Sequence, residues 1–75
     1  MTITGKQVKA ARGLLGWPQH RMAGEIGISL SEFASFEAGR SKLSRLQCSV
    51  LQRALDAAGV IFTNGGEPGV KLRSL

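Results

Sequence analysis

The sequence predicts one small all-α domain, residues 1–75, built from four helices and closed by a C-terminal β-hairpin. Three observations carry this prediction. The helix start signal Ser/Thr-x-x-Gln/Glu occurs at Thr4/Gln7, at Ser29/Glu32 and at Ser44/Gln47. After each start, apolar residues recur at helical spacing and a glycine ends the run. Beyond Gly59 the pattern changes to β-branched and aromatic residues around a turn-rich loop.

The first helix is expected over about 5–15. Thr4 and Gln7 cap its start reciprocally, and Ile3 and Val8 can clamp the entering chain as a hydrophobic staple. Val8, Ala11 and Leu15 form its inward stripe, and Gly16 ends it. The second helix, about 18–26, opens on Pro18, whose missing N–H costs nothing at a first helical position. Met22, Ala23 and Ile26 face inward and Gly27 stops the helix. The third, about 30–38, starts from Ser29 and Glu32 with Ile28 and Phe33 as its staple, turns Phe33 and Phe36 inward and ends at Gly39. A basic loop with Arg40, Lys42 and Arg45 leads into the fourth helix, about 45–58, whose stripe is Cys48, Leu51, Leu55 and Ala58. The hairpin, about 60–73, uses Val60, Ile61, Phe62 and Thr63 for one strand and Val70, Lys71, Leu72 and Arg73 for the other, with a loop over 64–69. A two-stranded ribbon is marginal alone, so it must pack on the helices or pair with another copy.

Size and composition narrow the function classes. A chain of 75 residues leaves little room for a substrate-enclosing cavity beside its core, so an enzyme is not expected. No serine has a histidine placed to activate it, and neither a metal nor a cofactor is expected, since a single Cys and a single His give no ligand spacing. Cys48 and Trp17 read as core, His20 as surface, and Gly65, Gly66 and Gly69 as turn residues. One thiol suits a reducing cytoplasm, and neither a membrane span nor a signal-peptide core is visible. Ten Lys plus Arg against five Asp plus Glu leave a net charge of +5, which invites a polyanion such as nucleic acid. That charge is unevenly spread. Residues 1–24 carry Lys6, Lys9, Arg12 and Arg21 without an acid, and residues 40–53 carry Arg40, Lys42, Arg45 and Arg53 without an acid. Between them, residues 25–39 carry only Glu25, Glu32 and Glu37.

Residues Gln19 to Glu37 have the steric requirements of a helix-turn-helix: a small residue where the helices touch (Ala23), a turn tolerant of positive φ (Gly27), and an apolar anchor on the second helix (Phe33). Together Gln19, Met22, Ala23, Gly27, Ile28, Ser29, Phe33, Phe36, Glu37 and Gly39 resemble the pattern of Cro/CI-like helix-turn-helix regulators, the XRE family. With its flanking helices the resemblance covers residues 4–59. It implies a lambda-repressor-like DNA-binding domain in which Gln19 and Ser29 meet phosphates. Leu30, Ser31 and Ser35 would then face base edges in the major groove, with Arg40, Lys42 and Arg45 along the DNA backbone. It further implies a buried salt bridge between Arg12 and Glu37.

The departures bear on specificity. Pro18 stands where the family has Ser or Thr, and Glu32 where Thr is common. Leu can touch only a thymine methyl and Ser accepts almost any base, so one monomer reads little. A homodimer on an inverted repeat of double-stranded DNA is therefore expected, with the hairpin's strand edges as the contact. The other reading is a protein-interaction module of the same fold, such as an antitoxin or a phage-type regulatory subunit, favoured by the acidic third helix.

Overall fold

Residues 3–63 and 69–73 are described by a computed structural model. The elements run α1 (Gly5–Leu15), α2 (Gln19–Ile26), α3 (Leu30–Glu37), α4 (Arg45–Ala57), β1 (Val60–Thr63) and β2 (Gly69–Leu72). Two of the three start signals form complete capping boxes. Thr4 accepts from the Gln7 N–H while the Gln7 side chain accepts from the Thr4 N–H, and Ser44 and Gln47 repeat the exchange. The third is half a box. Ser29 Oγ accepts from the Glu32 N–H at 3.1 Å, but the Glu32 carboxylate meets the Ser29 hydroxyl at 3.4 Å instead of the backbone.

Pro18 also departs from the expected place. It lies before the helix as N-cap, with extended backbone (φ −72°, ψ 162°), so α2 begins at Gln19. Its carbonyl accepts from the N–H groups of Arg21 and Met22. α3 and α4 each end one residue earlier than expected, because Ala38 and Ala58 serve as C-caps. Between α2 and α3 the turn rests on Gly27, whose φ of 71° is one that a Cβ would oppose.

Phe33, Met22, Leu51, Leu55 and Val8 are the largest fully buried side chains, and Ala11, Ala23, Ile26, Phe36 and Val60 complete the core. Each of the large ones contributes about 1.5–3 kcal/mol by leaving water. Leu15, Trp17 and Cys48, expected inside, are only half-buried. Arg21 lies over the Trp17 ring, 4.2 Å from its centroid.

The hairpin is antiparallel, with Val60 opposite Leu72 and Phe62 opposite Val70. It packs on the helices, β1 against α4 and β2 against α1. Gln7 adds a cross-link, its side-chain amide donating to the Gly69 carbonyl at 3.4 Å. The second strand starts one residue earlier than expected, at Gly69, and the rest of the expected loop, 64–68, lies outside the described residues. Leu72 remains 44% exposed although its partner Val60 is buried.

Candidate nucleic-acid interface

The α2–turn–α3 unit is held by its apolar edge. Phe33 and Phe36 point into the core, tilted rings 6.4 Å apart, while Leu30, Ser31 and Glu32 are exposed and Ser35 is half-buried. At 100° per residue, Ser31 and Ser35 lie opposite Phe33, so two of the three residues expected to face bases share one outward face. Glu32 flanks it, whereas Leu30, three residues before Phe33, lies toward the Phe33 side of the helix and is 50% exposed at its start. The Glu32 carboxylate is turned toward the first turn of its own helix, where it accepts from the Ser29 hydroxyl, so both groups are partly engaged with each other.

Arg40, Lys42 and Arg45 are all exposed on the loop between α3 and α4 and at its end. Among the described residues none of the three forms an ion pair. The start of that loop is set by backbone bonds, from Gly39 N–H to the Phe36 carbonyl and from Arg40 N–H to the Ser35 carbonyl. The basic loop therefore leaves the C-terminal end of the same helix that presents Ser31 and Ser35.

Behind this face, three segments meet at Glu37. Arg12 grips its carboxylate with two parallel bonds, Nε to Oε2 at 2.6 Å and Nη2 to Oε1 at 2.9 Å, and donates from Nη1 to the Trp17 carbonyl at 3.0 Å. Gln19 donates its side-chain amide to the same Oε1 at 3.0 Å. Burial pushes the Glu37 carboxyl up, but the hydrogen bonds from Arg12 and Gln19 and the charges of Arg12 and Lys9 outweigh it and hold the carboxyl below the usual carboxylate range. Arg12 is raised in turn, first by its bond to Glu37. The Arg12–Glu37 bridge expected from the resemblance is thus present, with the Glu37 side chain 4% exposed and that of Arg12 17%.

Gln19 has a role that sequence reasoning missed. It is half-buried at the start of α2, and one of its amide hydrogens is committed to Glu37. No local pattern marks this pair, because its members lie 18 residues apart. The Arg21–Trp17 stack was missed as well, since Trp17 read as core and lies before the start of α2, where helical spacing does not mark the pair. At the opening of α2 no side chain caps the helix and no acid lies in its first turn. No acceptor among the described residues meets the N–H groups of Gln19 and His20.

Among the described residues, no group of three or more His, Cys, Asp or Glu could hold a metal ion, and no helix is long and apolar enough to cross a membrane. The chain matches no protein-family model and no curated protein sequence.

Proposed function

We propose that this chain is a sequence-specific DNA-binding transcriptional regulator, a lambda-repressor-like domain of the Cro/CI-like (XRE) kind that binds an inverted-repeat operator as a homodimer. The observation that carries the reading is the mounting of α3: Phe33 and Phe36 lock one side into the core while Ser31 and Ser35 share the outward one, next to a loop of exposed basic residues that form no ion pair among the described residues. Arg40, Lys42 and Arg45 would neutralise phosphates, and Gln19 and Ser29 would add hydrogen bonds to the same backbone. Leu30, Ser31 and Ser35 would meet base edges through van der Waals contact and single hydrogen bonds. On this reading the protein works in the cytoplasm, with no cofactor and no catalytic step.

Fluorescence anisotropy against the DNA upstream of the protein's own gene, at several salt concentrations, tests the proposal. Counterion release should make affinity fall steeply with salt. Gln19→Ala should weaken binding to all sequences alike, whereas Ser35→Ala should alter base preference. Binding that is absent at low salt rejects the reading.

One observation favours the protein-interaction module. The outward side of α3 offers an exposed Glu32 and no Arg, Asn or Gln able to make a bidentate base contact. That reading expects a stable protein complex without salt-dependent DNA binding.

A further inference from the structure

We propose that the open edge of β1 is a docking site for an extended acidic segment of a partner protein, which adds to the hairpin as a third strand. A groove of about 470 Å³ lies between this edge and α4, lined by Arg53 and Asp56 of the helix, by Val60, Ile61 and Phe62 of the strand and by Arg73. Three consecutive strand residues line it although their side chains alternate between the two faces of the hairpin, so the groove follows the backbone edge. The edge is ready to pair. Arg73 N–H donates to the Gly59 carbonyl at 2.6 Å, which makes Gly59 and Arg73 a bonded pair of the antiparallel ladder. By alternation Ile61 with Lys71 and Thr63 with Gly69 are bonded pairs too, whereas Val60 and Phe62, opposite Leu72 and Val70, turn their N–H and C=O groups away from β2. Among the described residues no backbone partner outside the hairpin meets those groups. Such a row, repeating every second residue, is what an added strand bonds to.

Charge selects the occupant. Arg53 and Arg73 stand around the groove with Asp56 as the one acid among its lining residues. Arg53 has no ion-pair partner among the described residues, and Asp56 is already held by Arg73 through one exposed bond at 3.1 Å. The excess positive charge calls for carboxylates. Among the described residues every acid of this chain sits on a helix (Glu25, Glu32, Glu37 and Asp56), so a second copy offers no acidic strand there. A segment of another protein does. Val60 and Phe62 pack toward the core, and Ile61, half-buried, belongs to the opposite face of the hairpin. An added strand would alternate likewise, with acidic side chains on the α4 side, where Arg53 stands, and apolar ones on the side of Ile61. None of the groove's lining comes from α1, α2 or α3, so its occupant leaves the proposed DNA face free.

Titrating the isotope-labelled full chain with a blocked peptide that alternates Glu with Val, followed by amide NMR, tests the site. The expected result is saturable shifts centred on the Val60 and Phe62 amides and weakened by salt, while a peptide alternating Lys with Val leaves them in place. Arg53→Glu should raise the dissociation constant roughly tenfold or more. Arg53 is exposed, and unchanged amide positions in α1 to α3 verify that the variant is folded. Strand addition itself is read from N-methylated peptides. Methyl groups on every Glu nitrogen or on every Val nitrogen block one edge of the peptide and spare the other, so one version should bind and the other should not. No shifts with the Glu–Val peptide, equal binding of the Lys–Val peptide, equal binding of the two methylated peptides, or an unchanged Arg53→Glu overturns the proposal. Shifts of the same two amides on self-association, or with duplex DNA in place of the peptide, overturn it as well by showing another occupant. Salt-dependent DNA binding in a chain that ignores the peptide removes this surface alone, and peptide binding in a chain that ignores DNA removes only the DNA reading.

Discussion

Arg12–Glu37 and Arg73–Asp56 join the same two kinds of ion in opposite settings. The first lies where α1, α2 and α3 converge, with side chains 17% and 4% exposed and two parallel bonds. The second ties the end of β2 to α4 through one bond at 3.1 Å, with side chains 54% and 73% exposed. Water screens the second pair and leaves both partners solvated if it opens. Opening the first strands a charge in the interior. The surroundings differ at one point: α1 passes so close to α3 at the Glu37 end that a Cβ on Gly5 would meet backbone atoms of Phe36 and Glu37, whereas Arg73 and Asp56 face water.

Substitutions can break or sharpen this contrast. The largest effect is expected for Glu37→Ala, about 3–5 kcal/mol, because Arg12 loses its partner. Thermal melting should fall by more than about 10 °C, and an unchanged melting point would erase the distinction between the two bridges. Acid adds a sign. Since the folded pKa of Glu37 is depressed, its contribution is present above the ordinary carboxylate value of about 4.3 and is lost as pH falls through the lower folded value. Glu37→Gln should flatten the dependence of stability on pH in that window, as measured by denaturant unfolding between neutral and acid pH.

Next comes Gly5→Ala. A Cβ at Gly5 would stand 2.5 Å from the Phe36 carbonyl oxygen and 2.7 Å from that of Glu37, both backbone atoms that cannot swing aside. A loss of about 1–3 kcal/mol in denaturant unfolding is expected. Stability equal to wild type would mean that the α1–α3 junction can open to admit a methyl group. Ser44→Ala removes one member of a complete capping box and should cost about 1 kcal/mol, read from the same unfolding curves. Arg73→Ala should change stability by less than about 0.5 kcal/mol, and a larger effect would show the exposed bridge to be worth more than its solvation allows.

Much of the fold was legible in local pattern. Thr4 with Gln7 and Ser44 with Gln47 are three residues apart, so the spacing that satisfies orphan N–H groups can be read without knowing the rest of the molecule. Glycines with positive φ, at 16, 27, 39 and 59, mark where the helices stop. Ser29 with Glu32 matched the pattern and formed only half of it, because the Glu32 side chain met the cap's hydroxyl in place of its backbone N–H. Ser31 and Ser35 were legible as an outward face, since the helical period that buries Phe33 and Phe36 turns them away from the core, whereas Leu30, three residues before Phe33, lies toward the buried side by that period and is half exposed.

By itself, then, the sequence determined where helices start and stop, which stripe of each is apolar, and the division of charge into two basic segments around an acidic one. These depend on neighbours within a turn or two, where chain geometry leaves few choices. Tertiary structure alone decided that Gln19 spends an amide hydrogen on Glu37, that Gln7 both caps α1 and reaches the Gly69 carbonyl, and that Gly5 is the close approach of α1 to α3. Those partners lie 18 residues apart or more, and no local spacing encodes them. They meet because burying Phe33, Met22 and Val8 in one core brings the ends of three helices to the same place.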